Sequence, residues 1–367
     1  MMAKVLWWGR TERNYSRNRI VRHLFEQLGW QVCYFHPLSS ALGLMESLIR
    51  RPERSDLIFV PCFRHRDIAS AAFWSRRWQV PLILDPLISA YEKETFERQK
   101  WPQTSYKAEQ RRLWESRLFA SGDVVVADTA AHANFFHQRL AVPRQRLQVL
   151  YVGAEPGLFE AQPLPEPKPP YELLFYGSFL ELHGVDVIIE AAKRLNDHNI
   201  RWVLLGDGAL KARMVAMAGD APTIHFEPWI PYNILPDRMA RAHIMLGIFG
   251  PTVLNDLVIP NKMFQSMAIG RPIITSRSEA YRDSLEGDAT IGWVKGGDPD
   301  DLAGKVHAWL SAPHRLAKRG SETRTLFDRY FSIARQAESL AMIIHRALGE
   351  NRPNHGAPND TDSPHES

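Results

Sequence analysis

Short apolar runs alternate with longer stretches of helical periodicity along nearly the whole chain. Runs of about four to eight apolar residues bounded by Gly, Pro or Asp predict buried strands, whereas apolar residues at i, i+3 and i+4 predict helices. In the first half this assigns strands to Val5–Trp8, Gln31–Phe35, Leu57–Pro61, Leu82–Asp85, Val124–Ala127 and Gln148–Tyr151, with a helix over Arg19–Leu28. The second half begins again with a strand, Leu173–Tyr176, and a helix, Val185–Leu195. Strands at Trp202–Leu205, Ile224–Phe226, Ile244–Phe249 and Ile273–Thr275 follow, and from about Pro299 the chain is helical, ending in Ile333–Leu348.

Strands alternating with helices predict parallel α/β sheets. Between the halves lies AQPLPEPKPP, with five prolines in ten residues. Proline has no amide donor and a fixed φ, so this stretch predicts a stiff linker rather than an element. The expected organisation is α/β, with two Rossmann-like doubly wound domains facing across a cleft: residues 1–160, a linker over 161–170, and residues 171–330. A terminal helix over 331–348 is expected to pack back on the first domain. The polar residues 349–367 are expected to be disordered.

Composition narrows the possibilities. Apolar residues at 45% and charged residues at 23% are ordinary for a globular protein, and no run approaches the ~18 apolar residues of a membrane span. The start, MMAKVLWWGR, turns polar too early for a signal peptide. The two cysteines, Cys33 and Cys62, lie in apolar runs, as expected of buried free thiols in a cytoplasmic protein. Scattered histidines and the absence of paired cysteines predict no metal site. Asp298–Asp301 is better explained as a helix cap than as a metal ligand. Residues 1–160 carry 23 basic and 16 acidic side chains, against 22 and 25 in the remainder. Basic and aromatic residues also cluster at Ile68–Trp78 and Trp101–Phe119, so peripheral contact with an anionic membrane is expected there. No nucleic-acid module is present, and nothing determines the oligomeric state.

The most informative stretch is Ile259–Thr275, IPNKMFQSMAIGRPIIT. It predicts a helix entered through Pro260 and closed by Gly270, then a buried strand. Met263, Phe264, Met267 and Ala268 share one face; Lys262, Gln265 and Ser266 share the other. The free amides of the helix start favour an anion, and Lys262 adds charge there. Three further blocks precede it: Phe175–Leu195 with a turn at Gly177–Gly184, the strand and turn Val203–Gly208, and Ile224–Ala242 with Trp229 after a strand. The Gly206-x-Gly208 turn does not complete a dinucleotide fingerprint, because Ala212 lies one place beyond the required third position.

In this order the four blocks resemble the retaining glycosyltransferases of GT-B fold grouped as family 4. The resemblance covers most of residues 80–345 and is most specific over 175–275. It implies donor-binding roles for Gly177, Ser178, His183, Gly184, Gly206, Asp207, Gly208, Trp229, Ile259, Pro260, Asn261, Lys262 and Gln265. Ser178 and His183 stand where the family usually has Arg and Lys, and Leu257 and Gln265 where it usually has two glutamates. Lys262 and a protonated His183 are expected to supply the missing positive charge, and Gln265 to bond ribose hydroxyls. In the first half, the loop after Leu82–Asp85 is expected to meet the acceptor, with Asp85 or Glu92 orienting its hydroxyl. A lone His132 is expected to be structural. The implied activity is metal-independent and cofactor-free: transfer of a sugar from a nucleotide-diphosphate donor to a glycan or lipid-linked acceptor, with retention. The departures leave open a non-catalytic sugar-nucleotide or glycan-binding protein of the same fold.

Overall fold

The computed structural model describes residues 2–10 and 15–350. The first sheet holds β1 (Lys4–Trp8), β2 (Gln31–Phe35), β3 (Leu57–Val60), β4 (Leu82–Leu84), β5 (Val124–Ala127) and β6 (Leu147–Val149), in the order β2-β1-β3-β4-β5-β6. The second holds β7 (Tyr171–Tyr176), β8 (Ile200–Leu205), β9 (Ile224–Glu227), β10 (Ile244–Leu246), β11 (Ile273–Ser276) and β12 (Gly292–Val294), in the order β12-β11-β10-β7-β8-β9. Every neighbouring pair in both sheets is parallel.

Successive strand residues point to opposite faces, and both faces are covered, so the strands are apolar without interruption. Val5 and Trp7 join one core, with Leu340, Ile343 and Ile344 of the helix Ile333–Glu350. Leu6 and Trp8 join the core on the other face. In the second sheet Leu173 and Phe175 meet the helix Val185–Leu195, while Leu174 and Tyr176 meet the helix Asn261–Ala268. This is a doubly wound sheet in each half. The terminal helix thus crosses back to the first domain, driven by its apolar stripe, and it continues through Gly349 and Glu350. The remainder of the tail expected to be disordered, 351–367, lies outside the described residues. Residues 161–170 contain no helix or strand and connect β6 to β7.

The halves share apolar contacts. Leu254 and Leu257 come from the second half yet sit in the core of the first, and the Thr129 hydroxyl donates to the carbonyl of Leu257. Each such buried leucine contributes about 1.5–3 kcal/mol.

Two sequence expectations need correction here. The aromatic residues expected to face a membrane turn inward. Trp74 is buried and donates to Ser47 Oγ at 2.7 Å, while Phe73, Trp78, Trp101 and Leu118 pack on the first-domain core. Arg111 lies over the rings of Trp101 and Trp114 instead of facing lipid. Second, Cys33 is only half buried; Cys62 is buried and donates to Asn18 Oδ1 at 3.1 Å. Both are free thiols. Among the described residues no helix is long and apolar enough to cross a membrane, and no cluster of His, Cys, Asp and Glu could hold a metal ion. Asp298 caps the helix Pro299–Leu310 by accepting from the amides of Asp300 and Asp301.

Candidate functional site

Strand order reverses between β7 and β10, and in such sheets ligands bind at the carboxyl ends beside that reversal. The chain leaving β7 turns at Gly177, whose φ of +148° favours glycine. A short turn, Glu181–His183, leads to Gly184 and the helix Val185–Leu195. Opposite, Pro260 caps the helix Asn261–Ala268. Lys262 lies in its first turn and is 4% exposed. Its Nζ has no hydrogen-bond partner and lies 3.9 Å from the centre of the Phe175 ring. A Cβ on Gly177 would stand 3.3 Å from that nitrogen, so glycine leaves open the space beside it. Burial pushes the Lys262 amine well below its usual range.

His183 does not supply a second cation. Burial, and then the nearby Lys262, pull its pKa down to about 3. The ring is neutral, and Nδ1 donates to the carbonyl of Ser178. The expected protonated His183 is therefore corrected: two cations so close together, away from water, cannot both persist.

The other predicted donor residues divide into groups. Gly184, Gly206 and Gly208 stand where loop backbones press together, against Gly250, Gly177 and Phe179. Asp207 accepts from the Phe179 amide at 2.9 Å through its carbonyl and from Gly208 at 2.8 Å through its side chain. These residues build the turn instead of lining an open cradle. Ile259 is core, and Asn261 is half buried at the helix start. Trp229 is 51% exposed beyond β9, two strands from β7.

Gln265 lies on the buried side of the same helix. Its Oε1 accepts from the Tyr176 hydroxyl, and its Nε2 donates to Tyr232 at 3.0 Å. Tyr232 in turn donates to Ser16 Oγ at 3.3 Å, in the first domain. The amide expected to meet ribose is engaged within the protein. All seven residues from Lys262 to Ala268 are buried, so both the apolar face and the face of Lys262, Gln265 and Ser266 lie inside the protein. Tyr176, Tyr232 and Ser16 were missed by the sequence reading; nothing in their local patterns marks a contact between distant segments.

On the facing domain the two predicted carboxylates are both occupied. Asp85, at the end of β4, binds Arg17 through both oxygens, at 2.9 and 3.1 Å. Arg17 is fully buried and also donates to the carbonyls of Leu150 and Tyr151. Glu92 forms a capping box with Ser89 and accepts from His132 Nε2 at 2.7 Å. His132 Nδ1 donates to Asp128 at 2.6 Å. Burial alone would lower the His132 pKa, but the charges of Glu92 and Asp128 outweigh it and raise it to about 10. His132 is a buried imidazolium between two carboxylates, in keeping with a structural role. Asp85 and Glu92, the carboxylates expected to orient the acceptor, are thus each held by a buried cationic partner within the first domain.

Comparison with known proteins now bears on this arrangement. Residues 10–153 match the model of the glycosyl transferase 4-like domain, and residues 170–312 match that of glycosyl transferases group 1. The chain is a GT-B protein resembling glycosyltransferase family 4. The D-inositol 3-phosphate glycosyltransferase of Thermomonospora curvata is 23% identical over 295 residues, 68% of this chain and 65% of that one. The amylovoran biosynthesis glycosyltransferase AmsK of Erwinia amylovora is 23% identical over 245 residues, 63% and 55% of the two chains. Anabaena HepE, solved in complex with UDP, superposes with a TM-score of 0.69 at 14% identity, covering 94% of this chain and 100% of that one. The chain spans between 27% and 65% of the length of the curated relatives it matches. In this GT-B frame, Lys262 and the Gly177 turn lie at the strand ends of the second domain, facing the first.

Proposed function

We propose that the protein transfers a sugar from a nucleoside-diphosphate donor to a glycan or lipid-linked acceptor, with retention and without a metal or cofactor. The observation that carries this is Lys262, a buried amine whose Nζ has no hydrogen-bond partner, at the start of a buried helix and beside the turn at Gly177. A dianionic phosphate would provide the missing counter-charge and accept from the helix amides. UDP and UDP-glucose are ligands of the Anabaena protein, which supports this donor class. In the reaction the bond from the anomeric carbon to the diphosphate breaks and a bond to the acceptor oxygen forms on the same face. The acceptor proton passes to the departing phosphate. Lys262 and the first amides of the helix Asn261–Ala268 stabilise the charge that develops there. We place the reaction in the cytoplasm.

The test is turnover. The protein is incubated with UDP-, GDP- and ADP-sugars and a panel of lipid-linked and glycan acceptors. Release of nucleoside diphosphate is followed, and the anomeric configuration of the product is read by NMR. Release that depends on acceptor, with retained configuration, supports the proposal. Binding without release favours a non-catalytic sugar-nucleotide-binding protein, a reading to which the engagement of Asp85, Glu92 and Gln265 within the fold lends weight.

A further inference from the structure

A second basic site lies on the first domain, against the helix that carries Lys262. It is a cavity of 310 Å³ lined by Tyr15, Asn18, Cys62, Phe63, Arg64 and Lys93. Tyr15 opens the helix Ser16–Gln27 after β1, Cys62–Arg64 follow β3, and Lys93 follows the loop after β4. Tyr15 and Phe63 pack on the apolar cluster that also contains Met263 and Phe264 of the second domain.

The backbone here is unusual. Phe63 and Leu87, just past the ends of β3 and β4, have φ of +62° and +64°. Bulky side chains rarely adopt that region, and where they do the strain tends to mark a ligand site. The Phe63 ring stands edge-on to Tyr15 with centres 5.1 Å apart, and Lys93 Nζ lies 5.3 Å from its centre. A Cβ on Gly9 would stand 3.1 Å from Arg64 Cγ, so the glycine after β1 makes room for the arginine stem. Arg64 Nε is buried without a hydrogen-bond partner. Among the described residues neither Arg64 nor Lys93 belongs to an ion pair.

The neighbouring groups do not neutralise these two cations. Burial holds the Asp67 and Glu97 carboxyls above their usual range, against the pull of Arg64 on the first and Lys93 on the second. Burial likewise pushes the Tyr15 hydroxyl and the Cys62 thiol upward, which keeps both neutral. Asp85 is committed to Arg17. The lining thus carries two positive charges and no negative one, in a volume at the low end of the range for ligand cavities.

We propose that this cavity binds an anionic group of the acceptor, a phosphoryl or a carboxylate, with Arg64 and Lys93 as its counter-charges and Tyr15 as a hydroxyl donor. Calling the ligand an acceptor rests on the donor-site reading, which puts the donor at Lys262 in the other domain; the anion site itself does not.

The probes are glucose 1-phosphate, glucuronate and neutral methyl glucoside, titrated by saturation-transfer NMR. The proteins are wild type, Lys262→Met and the paired variant Arg64→Gln, Lys93→Gln. One or both anionic sugars should bind wild type and Lys262→Met alike, and methyl glucoside should bind neither. The paired variant should bind about 100-fold more weakly, since two charge-assisted contacts are lost. A response to glucose 1-phosphate alone identifies the group as phosphoryl and one to glucuronate alone as carboxylate; either supports the proposal. The thermal gain with UDP, GDP or ADP should persist in the paired variant, showing an intact fold and donor site. If that variant does not fold, Lys93→Gln alone, at a half-buried position, should weaken binding about 10-fold and carries the test. No binding of either anion to wild type would overturn the proposal, as would undiminished binding by the paired variant. Binding lost in Lys262→Met but kept in the paired variant would also overturn it, by assigning the anion to the donor site. Anion binding that depends on Arg64 and Lys93, with no nucleotide gain in any form, would support the anion site and refute the donor reading.

Discussion

Replacing Lys262 by Met should make the empty protein more stable and the liganded one less so. The Lys262 amine is buried without a hydrogen-bond partner, and burying a polar group in that state costs about 1–3 kcal/mol. Its contact with the Phe175 ring offsets part of this, by about 0.5–2 kcal/mol, leaving a net cost of roughly 1 kcal/mol. Methionine has a similar length and no charge, so the apo midpoint should rise by roughly 2–4 °C. A nucleoside diphosphate at 100 times its dissociation constant should stabilise the wild type by about 2.7 kcal/mol. In the variant that gain should largely vanish. The pH dependence gives a second signature. The folded-state pKa of Lys262 lies below its ordinary 10.5, so between the two values the unfolded chain binds more protons. Apo wild-type stability should therefore contain a component that rises with pH across that window, and Lys262→Met should lack it. Scanning calorimetry with and without UDP, GDP and ADP, at neutral and alkaline pH, measures all three effects. A variant that melts below the wild type without ligand and still gains stability from a diphosphate would refute the argument.

Three other outcomes follow from the buried polar groups. Asp85→Ala leaves Arg17 buried and unpaired and should cost about 3–5 kcal/mol in a denaturant titration, whereas a double replacement of both residues by Leu or Met should recover much of it. His132, raised to about 10 against an ordinary 6.5, contributes stability that is full below pH 6.5 and is lost as pH climbs through 10; His132→Phe should flatten that part of the curve. Tyr232→Phe removes the hydroxyl between Gln265 and Ser16 and should lower stability by about 1 kcal/mol, with closer coupling in a double-mutant cycle with Ser16→Ala than with a distant surface change.

The sequence determined which segments form strands and helices, and in what order, because these depend on local periodicity and on Gly and Pro punctuation. Gln31–Phe35, Val124–Ala127 and Val185–Leu195 were legible to the residue. The helix Asn261–Ala268, its closure at Gly270 and the prominence of Lys262 were legible too, since a Pro entry, a first-turn lysine and a closing Gly are local signals. The three-residue strand Gly292–Val294 was not, being too short to show a period. The short helix Gly43–Arg50 has a clear apolar stripe, but periodicity shows only that a face is apolar, not whether it turns toward the core.

Only the tertiary structure decided what the polar side chains do. A carboxylate placed beyond a strand end looks the same in sequence whether it meets a substrate or a buried arginine. Asp85 lies 68 positions from Arg17, and Glu92 lies 40 from His132. Their pairing arises where distant loops converge at the carboxyl ends of parallel strands, and a one-dimensional pattern does not encode that distance. Charge behaves likewise: desolvation together with proximity to Lys262 keeps His183 neutral, whereas two carboxylates keep the fully buried His132 protonated. Local chemistry sets the elements; three-dimensional packing sets which charges remain unpaired, and Lys262 is the one on which the proposed donor site rests.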